Sequence, residues 1–197
     1  FKAEIVPVEV TDRKGTVTVS EDEQPAKANP DKIPTLKPAF ARDGAITAAN
    51  SSSISDGAAA LVMTRESIAR RLGLPIAARV VAHAAHAHEP GLFTTAPVPA
   101  IQKVLKRAGW TAEDVDLFEV NEAFAVVAMI AERDLAIDRS RLNVNGGACA
   151  LGHPIGASGA RIIATLLAAL EARGGKRGVA SLCIGGGEAT AVALERP

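Results

Sequence analysis

The sequence predicts a layered α/β domain approached by an extended N-terminal arm, and three observations carry that reading. Beyond Asp43-Gly44, short β-branched runs alternate with runs of helical period, a pattern that builds a sheet flanked by helices. Apolar residues make up 48% of the 197-residue chain, enough to fill one sizeable core. The helical runs are rich in Ala and Gly, which lets layers approach closely. A domain boundary is placed near Asp43-Gly44, dividing the chain into 1–43 and 44–197.

In the arm, Ile5–Val10 and Thr16–Val19 read as strands with Arg13-Lys14-Gly15 between them, a hairpin pattern. From Glu21 to Lys37 the chain is polar and, with Pro25, Pro30, Pro34 and then Pro38, suits an extended loop with at most a turn of helix. Ala58–Thr64 is expected as a short buried strand, and Glu66–Leu72 as a short helix stopped by Gly73 and Pro75. Ile76–Ala87, rich in Val and Ala, is expected as a long strand. Val98–Ala108 places Ile101, Val104 and Leu105 on one helical face and Lys103, Lys106 and Arg107 on the other, with Gly109 closing it. Thr111 and Asp114 have capping-box spacing. Val115–Val120 is read as a strand and Asn121–Leu135 as a helix N-capped by Asn121, with Glu122 in its first turn. A further helix, Ser158–Arg173, precedes strands Val179–Ile184 and Ala189–Leu194, which Gly185-Gly186-Gly187 joins as a hairpin.

Composition narrows the function classes. Basic and acidic residues balance at 22 each, which argues against a dedicated nucleic-acid or acidic-membrane binder. No apolar run reaches the length of a membrane span, and Phe1-Lys2-Ala3-Glu4 lacks a signal-peptide pattern. Two cysteines, Cys149 and Cys183, do not make a disulfide framework, so a reducing, cytoplasmic setting is expected.

Four segments could carry chemistry. Asn121-Glu122-Ala123-Phe124-Ala125 stands where a strand meets a helix, and Asn121 is either a plain cap or a polar group aimed into a cleft. The run from Asn143 to Arg161 holds Gly146, Gly147, Gly152, Gly156 and Gly159, so backbone there approaches something closely. It matches neither a P-loop nor a dinucleotide fingerprint. Within it His153, held before Pro154, is either a structural histidine or an imidazole facing a cleft. Cys183, at a strand end before three glycines, is either a small buried residue or an acid/base of unperturbed pKa about 8.5. The glycine N–H groups could line an oxyanion hole. His83, His86 and His88 with Glu89 raise metal binding as a further possibility, although no cysteine or helical His-Glu-x-x-His partner accompanies them.

Taken together, Asn-Glu-Ala-Phe-Ala at 121–125, Asn-Gly-Gly-x-x-x-x-Gly-His-Pro-x-Gly-x-Ser-Gly at 145–159 and Cys-Ile-Gly-Gly-Gly at 183–187 resemble the three signature segments of the thiolase family in order and separation. Residues 46–58 resemble the segment opening the family's C-terminal domain, so the resemblance covers essentially the whole chain. It implies the C-terminal half of a five-layer αβαβα architecture. Residues 1–43 would then be the tail of a coenzyme A-binding loop domain, and 44–197 the C-terminal domain. It further implies reversible Claisen condensation of acetyl-CoA, or thiolytic cleavage of 3-ketoacyl-CoA, through an acyl-cysteine carried by an N-terminal half. Coenzyme A thioesters would be substrates, with no separate cofactor or metal, and the protein would assemble as a dimer or tetramer. By the same resemblance, His153 activates the nucleophilic cysteine and Cys183 moves the α-proton. Asn121 holds an oxyanion-binding water, and the Gly185 N–H serves a second oxyanion hole. Ser52, Ala48, Phe40 and Phe124 match coenzyme A contacts.

Two departures stand out. Phe93-Thr94-Thr95-Ala96-Pro97 replaces the Met-Gly-x-Gly-Pro of many thiolases, putting Phe93 beside the acyl pocket and chain-length preference in question. Cys149 lies where the family has a small or apolar residue, and it is not read as the nucleophile. Rival classes are β-ketoacyl synthases, which pair their nucleophile with two histidines, a papain-like hydrolase using Cys183, His153 and Asn121, and a catalytically incomplete coenzyme A-binding domain.

Overall fold

A computed structural model describes all residues, Phe1–Pro197. Its centre is a four-stranded sheet in the order β3-β6-β5-β4, made of β3 (Arg79–Ala87), β4 (Leu117–Val120), β5 (Arg177–Ile184) and β6 (Glu188–Glu195). β6 lies antiparallel to both β3 and β5, while β4 runs parallel to β5. A parallel pair needs a crossover, and residues 121–176 supply it through α3 (Ala125–Asp134), α4 (Ala148–Leu151) and α5 (Ser158–Arg173).

The pleat sorts side chains to two faces. Phe118, Val120, Val179 and Cys183 face one layer with Ile101, Val104 and Leu105 of α2 (Pro97–Ala108) and Val127 of α3. Leu117 and Ala180 face the other, against Ile162, Leu166 and Leu170 of α5. The result is a helix–sheet–helix sandwich with a core on each side of the sheet, as the alternating pattern predicts. Gly109 ends α2 in the left-handed conformation (φ 71°), as its position after the last periodic residue implies. No helix is long and apolar enough to cross a membrane.

The arm stands apart from this core. β1 (Val8–Asp12) and β2 (Gly15–Val19) form the expected hairpin, with Arg13-Lys14 as the loop. Val8 pairs with Val19 and Val10 with Val17, and all four valines are exposed. The proline-rich stretch forms two 3-10 turns, Pro25–Lys27 and Pro30–Thr35.

Three expectations are corrected. Ala58–Thr64 is not a buried strand. It has no regular structure and is mostly exposed, with Val62 at 96%, and no backbone N–H from Ala58 to Thr64 donates a hydrogen bond. The apolar run has strand composition but no neighbouring strand to pair with. The helix after β4 starts at Ala125 rather than Asn121, with Phe124 as its extended N-cap residue. Asn121 is therefore no helix cap, and Glu122 is not in a first turn. The reason is tertiary: the Asn121 N–H donates to Ser181 O (2.9 Å), and the Ser52 N–H donates to Ala123 O (3.0 Å), holding 121–124 out of the helix. Finally, the strands begin at Arg79 and Leu117 rather than Ile76 and Val115. α1 (Glu66–Arg71) matches the short helix expected there.

Candidate active site

β4 and β5 run in parallel and end together, and in open α/β sheets the crevice beyond such carboxyl ends is where ligands bind. Asn121 follows directly on β4. Its side chain is buried (1% exposed), and its Nδ2 lies 3.4 Å from His153 Nε2.

His153 is placed by the segment 53–57. Its N–H donates to Ser53 O (2.9 Å), and Ile54 bridges to it. Gly152 has φ 89°, and a Cβ there would overlap Ser55 Oγ. Only glycine allows this contact. Gly57 similarly abuts the Pro154 ring, which a Cβ would meet at 2.8 Å. On its other side the imidazole Nδ1 lies 2.5 Å from Ser158 Oγ, and that hydroxyl donates to Pro154 O (3.0 Å). With its proton so committed, the hydroxyl accepts from Nδ1–H, which leaves the Nε2 lone pair facing Asn121 and the cleft. Burial, and then the Arg161 cation, push the His153 pKa below the ordinary histidine value. The ring is neutral at physiological pH and can take a proton on Nε2.

Behind this pair lies a cluster that motif reading did not single out. Arg161, one turn into α5, donates from Nη2 to Asn121 Oδ1 (3.3 Å) and from Nη1 to Glu119 Oε1 (3.5 Å). Glu119 is 2% exposed, and desolvation raises its pKa to about 8 against the opposing pull of Arg161. The signal in sequence is a charged residue within the apolar strand Leu117–Val120, which demands a buried partner. Asn143 is a second omission. In the left-handed region (φ 45°), its amide pairs with both Val120 N–H (2.7 Å) and Val120 O (2.8 Å) and donates to Glu122 (3.1 Å). Glu122 in turn accepts from Cys149 N–H (3.2 Å) and fills the space that a Cβ on Gly147 would occupy. It is thus a brace for the glycine-rich loop.

Cys183, at the end of β5, is 6% exposed and packs among apolar side chains. Burial pushes its thiol pKa up, so it keeps its proton at rest. No hydrogen bond joins it to His153. The resting thiolate–imidazole pair of a papain-like site is therefore absent, and nothing favours that rival. Gly185 is exposed, with open space around it. Gly187 (φ 90°) is pressed against His88–Pro90, and His88 N–H donates to its carbonyl (3.0 Å). Cys149 is a poor nucleophile: burial and the adjacent Glu122 raise its thiol to about 11.

The remaining expected residues gather on one side of α3. Phe124 is the centre of an aromatic row, edge-on to Phe40 (6.3 Å between centroids) and to Phe93 (6.1 Å). Ser52 donates from Oγ to Ala123 O (2.9 Å). Ala48 is exposed in the same strap, which is closed by Ala125 N–H to Asn50 O (2.9 Å). Phe40 is 77% exposed, so one aromatic face is free. His86 of β3 and His88 just beyond it lie elsewhere and form a row of contacts, with Lys103 Nζ 3.0 Å from His86 Nδ1 and His86 Nε2 3.3 Å from His88 Nδ1. His83 is not part of it, and no group of three or more His, Cys, Asp or Glu side chains could hold a metal ion.

Comparison with known proteins places the sequence and its fold in a family. The family model "Thiolase, C-terminal domain" matches residues 74–196, and "Thiolase, N-terminal domain" matches 1–67. The chain is 50% identical over its whole length to an acetyl-CoA acetyltransferase of Allochromatium vinosum, covering 50% of that protein. It is 52% identical to one of Yarrowia lipolytica, covering 49% of it. Among solved structures, the Bacillus anthracis acetyl-CoA acetyltransferase superposes with a TM-score of 0.93 at 43% identity, over 98% of this chain and 49% of that one. Human mitochondrial 3-ketoacyl-CoA thiolase superposes at 0.87 with 39% identity, over 97% and 49%. The chain spans about half the length of the curated relatives it matches. With both domain models matched in order and the signature segments meeting at the ends of β4 and β5, the chain belongs to the thiolase family.

Proposed function

We propose that this chain supplies the proton-handling half of an acetyl-CoA acetyltransferase. The enzyme condenses two acetyl-CoA to acetoacetyl-CoA and coenzyme A, or runs the reverse thiolysis on a 3-ketoacyl-CoA. The observation that carries the reading is His153, neutral and held by Ser158 so that an unprotonated Nε2 lies beside Asn121. A cysteine of the N-terminal half gives its S–H proton to that Nε2, and the thiolate attacks the thioester carbonyl. The protonated Nε2, with a water held by Asn121, then donates to the oxyanion of the second acetyl-CoA's enolate. Cys183 gives its resting proton to the departing coenzyme A thiolate and, as the thiolate so formed, takes the α-proton of the second acetyl-CoA in condensation. In the cleavage direction its thiol, protonated at rest, returns that proton to the departing acetyl carbanion. The Gly185 N–H faces the acyl-enzyme oxygen.

Coenzyme A lies along the strap 46–52 and the Phe40–Phe124–Phe93 row, with Ser52 and Ala48 beside its pantetheine. Phe93 bounds the acyl end. No separate cofactor takes part. The chain alone lacks the nucleophile and turns nothing over. The test is to assay acetoacetyl-CoA thiolysis with these 197 residues alone and after adding an N-terminal half. Turnover is expected only for the combination. Robust turnover by the lone chain, lost on Cys149→Ala, would overturn the reading.

A further inference from the structure

The hydrogen bonds around His153 run in one direction. A guanidinium has donors only, so the atom Asn121 turns toward Arg161 must be its oxygen, as the 3.3 Å Nη2···Oδ1 contact has it. The amide is planar, so its NH2 group must then face His153, and Nε2 can only accept. From the other side, Ser158 has given its proton to Pro154 O and accepts from Nδ1–H. Arg161 therefore selects, through Asn121, the imidazole tautomer that the Ser158–Pro154 O contact accommodates. The alternative, Nε2–H, is the form that a free neutral histidine favours in water. It would set an N–H against the NH2 group of Asn121. Arg161 is itself fixed by the buried Glu119 (3.5 Å).

We infer that Arg161, held by Glu119, is a positioning residue that locks the Asn121 amide so that the neutral His153 ring keeps its proton on Nδ1 and its lone pair on Nε2. The inference deepens the proposed function and rests on it for its catalytic meaning. The tautomer itself depends only on residues of this chain. Without Arg161 the Asn121 amide is free to turn its oxygen toward the ring. Ser158 can rotate to donate into Nδ1, and Nε2–H becomes the better form. Such a ring cannot take a proton from a cysteine.

The readout is 15N NMR of the histidine side chains, recorded above the imidazole pKa so that only the neutral tautomers remain. In the unaltered protein His153 is expected as Nδ1–H. In Arg161→Met the ratio of Nε2–H to Nδ1–H is expected to rise about tenfold or more, the effect of one hydrogen bond of about 1.4 kcal/mol. Glu119→Gln combined with Arg161→Met removes the guanidinium together with its carboxyl partner, leaves no unpaired buried ion, and should show the same rise with the fold intact. Retention of Nδ1–H in both variants would overturn the proposal, as would Nε2–H in the unaltered protein. If the tautomer shifts as expected but the complete enzyme keeps full activity, the lock stands and the base role of His153 falls.

Discussion

At the scale of single residues, three protonation states define the site: a neutral His153, a protonated Cys183 and a Glu119 whose pKa is raised to about 8. In the proposed mechanism the first two divide the chemistry. In the complete enzyme, Cys183→Ser should abolish carbon–carbon bond formation while acylation of the nucleophile survives better. His153→Ala should slow acylation by about 10²–10⁴, the usual contribution of a general base. Acyl-enzyme burst and overall turnover, measured separately, check both, and equal loss of the two half-reactions in Cys183→Ser would remove its assignment. Glu119 reports on stability. Its folded pKa lies above the unfolded value, so the folded state binds the extra proton between about pH 4.5 and 8. That contribution is complete below the unfolded value and is lost as pH rises through the folded one. Denaturant midpoints between pH 5 and 8 should therefore fall less steeply with rising pH in Glu119→Gln than in the unaltered protein.

At the scale of elements, the glycines separate by what surrounds them. Gly109 closes α2 with a positive φ and open space around it, so Gly109→Ala should cost only about 1 kcal/mol of backbone strain. Gly187 has a positive φ and also the His88 carbonyl where a Cβ would sit. Gly187→Ala should cost clearly more and displace the turn that carries Gly185, so thermal melts should rank it well below Gly109→Ala. Equal melting temperatures would mean that the turn yields without penalty. The helix boundaries make the same point. α2 and α5 have their own stop signals in Gly109 and Gly174, both left-handed, and were legible from sequence. The start of α3 was not, because Ser52 and Ser181 hold 121–124 out of the helix from elsewhere in the chain.

At the scale of the whole molecule, the apolar run Ala58–Thr64 is exposed with idle backbone N–H groups, and it lies in the part that matches the family's N-terminal domain. Adding an N-terminal half should slow amide hydrogen exchange across 58–64, whereas exchange unchanged on addition would show that the run pairs with nothing there. What the sequence determined by itself was whatever depends on local pattern and ordered motifs. That includes the alternating layers, the amphipathic α2, the closing hairpin, and the three segments that identify the family. What only the tertiary structure decided was how distant groups meet. Asn121 looked like a helix cap and is a buried amide, Glu122 looked like dipole compensation and braces a loop, and Arg161 looked like an ordinary α5 residue and orients Asn121. The physical reason is that the hydrogen-bond partners of the Asn121, Glu122 and Arg161 side chains lie 21 to 42 residues away in sequence. No local periodicity encodes such neighbours.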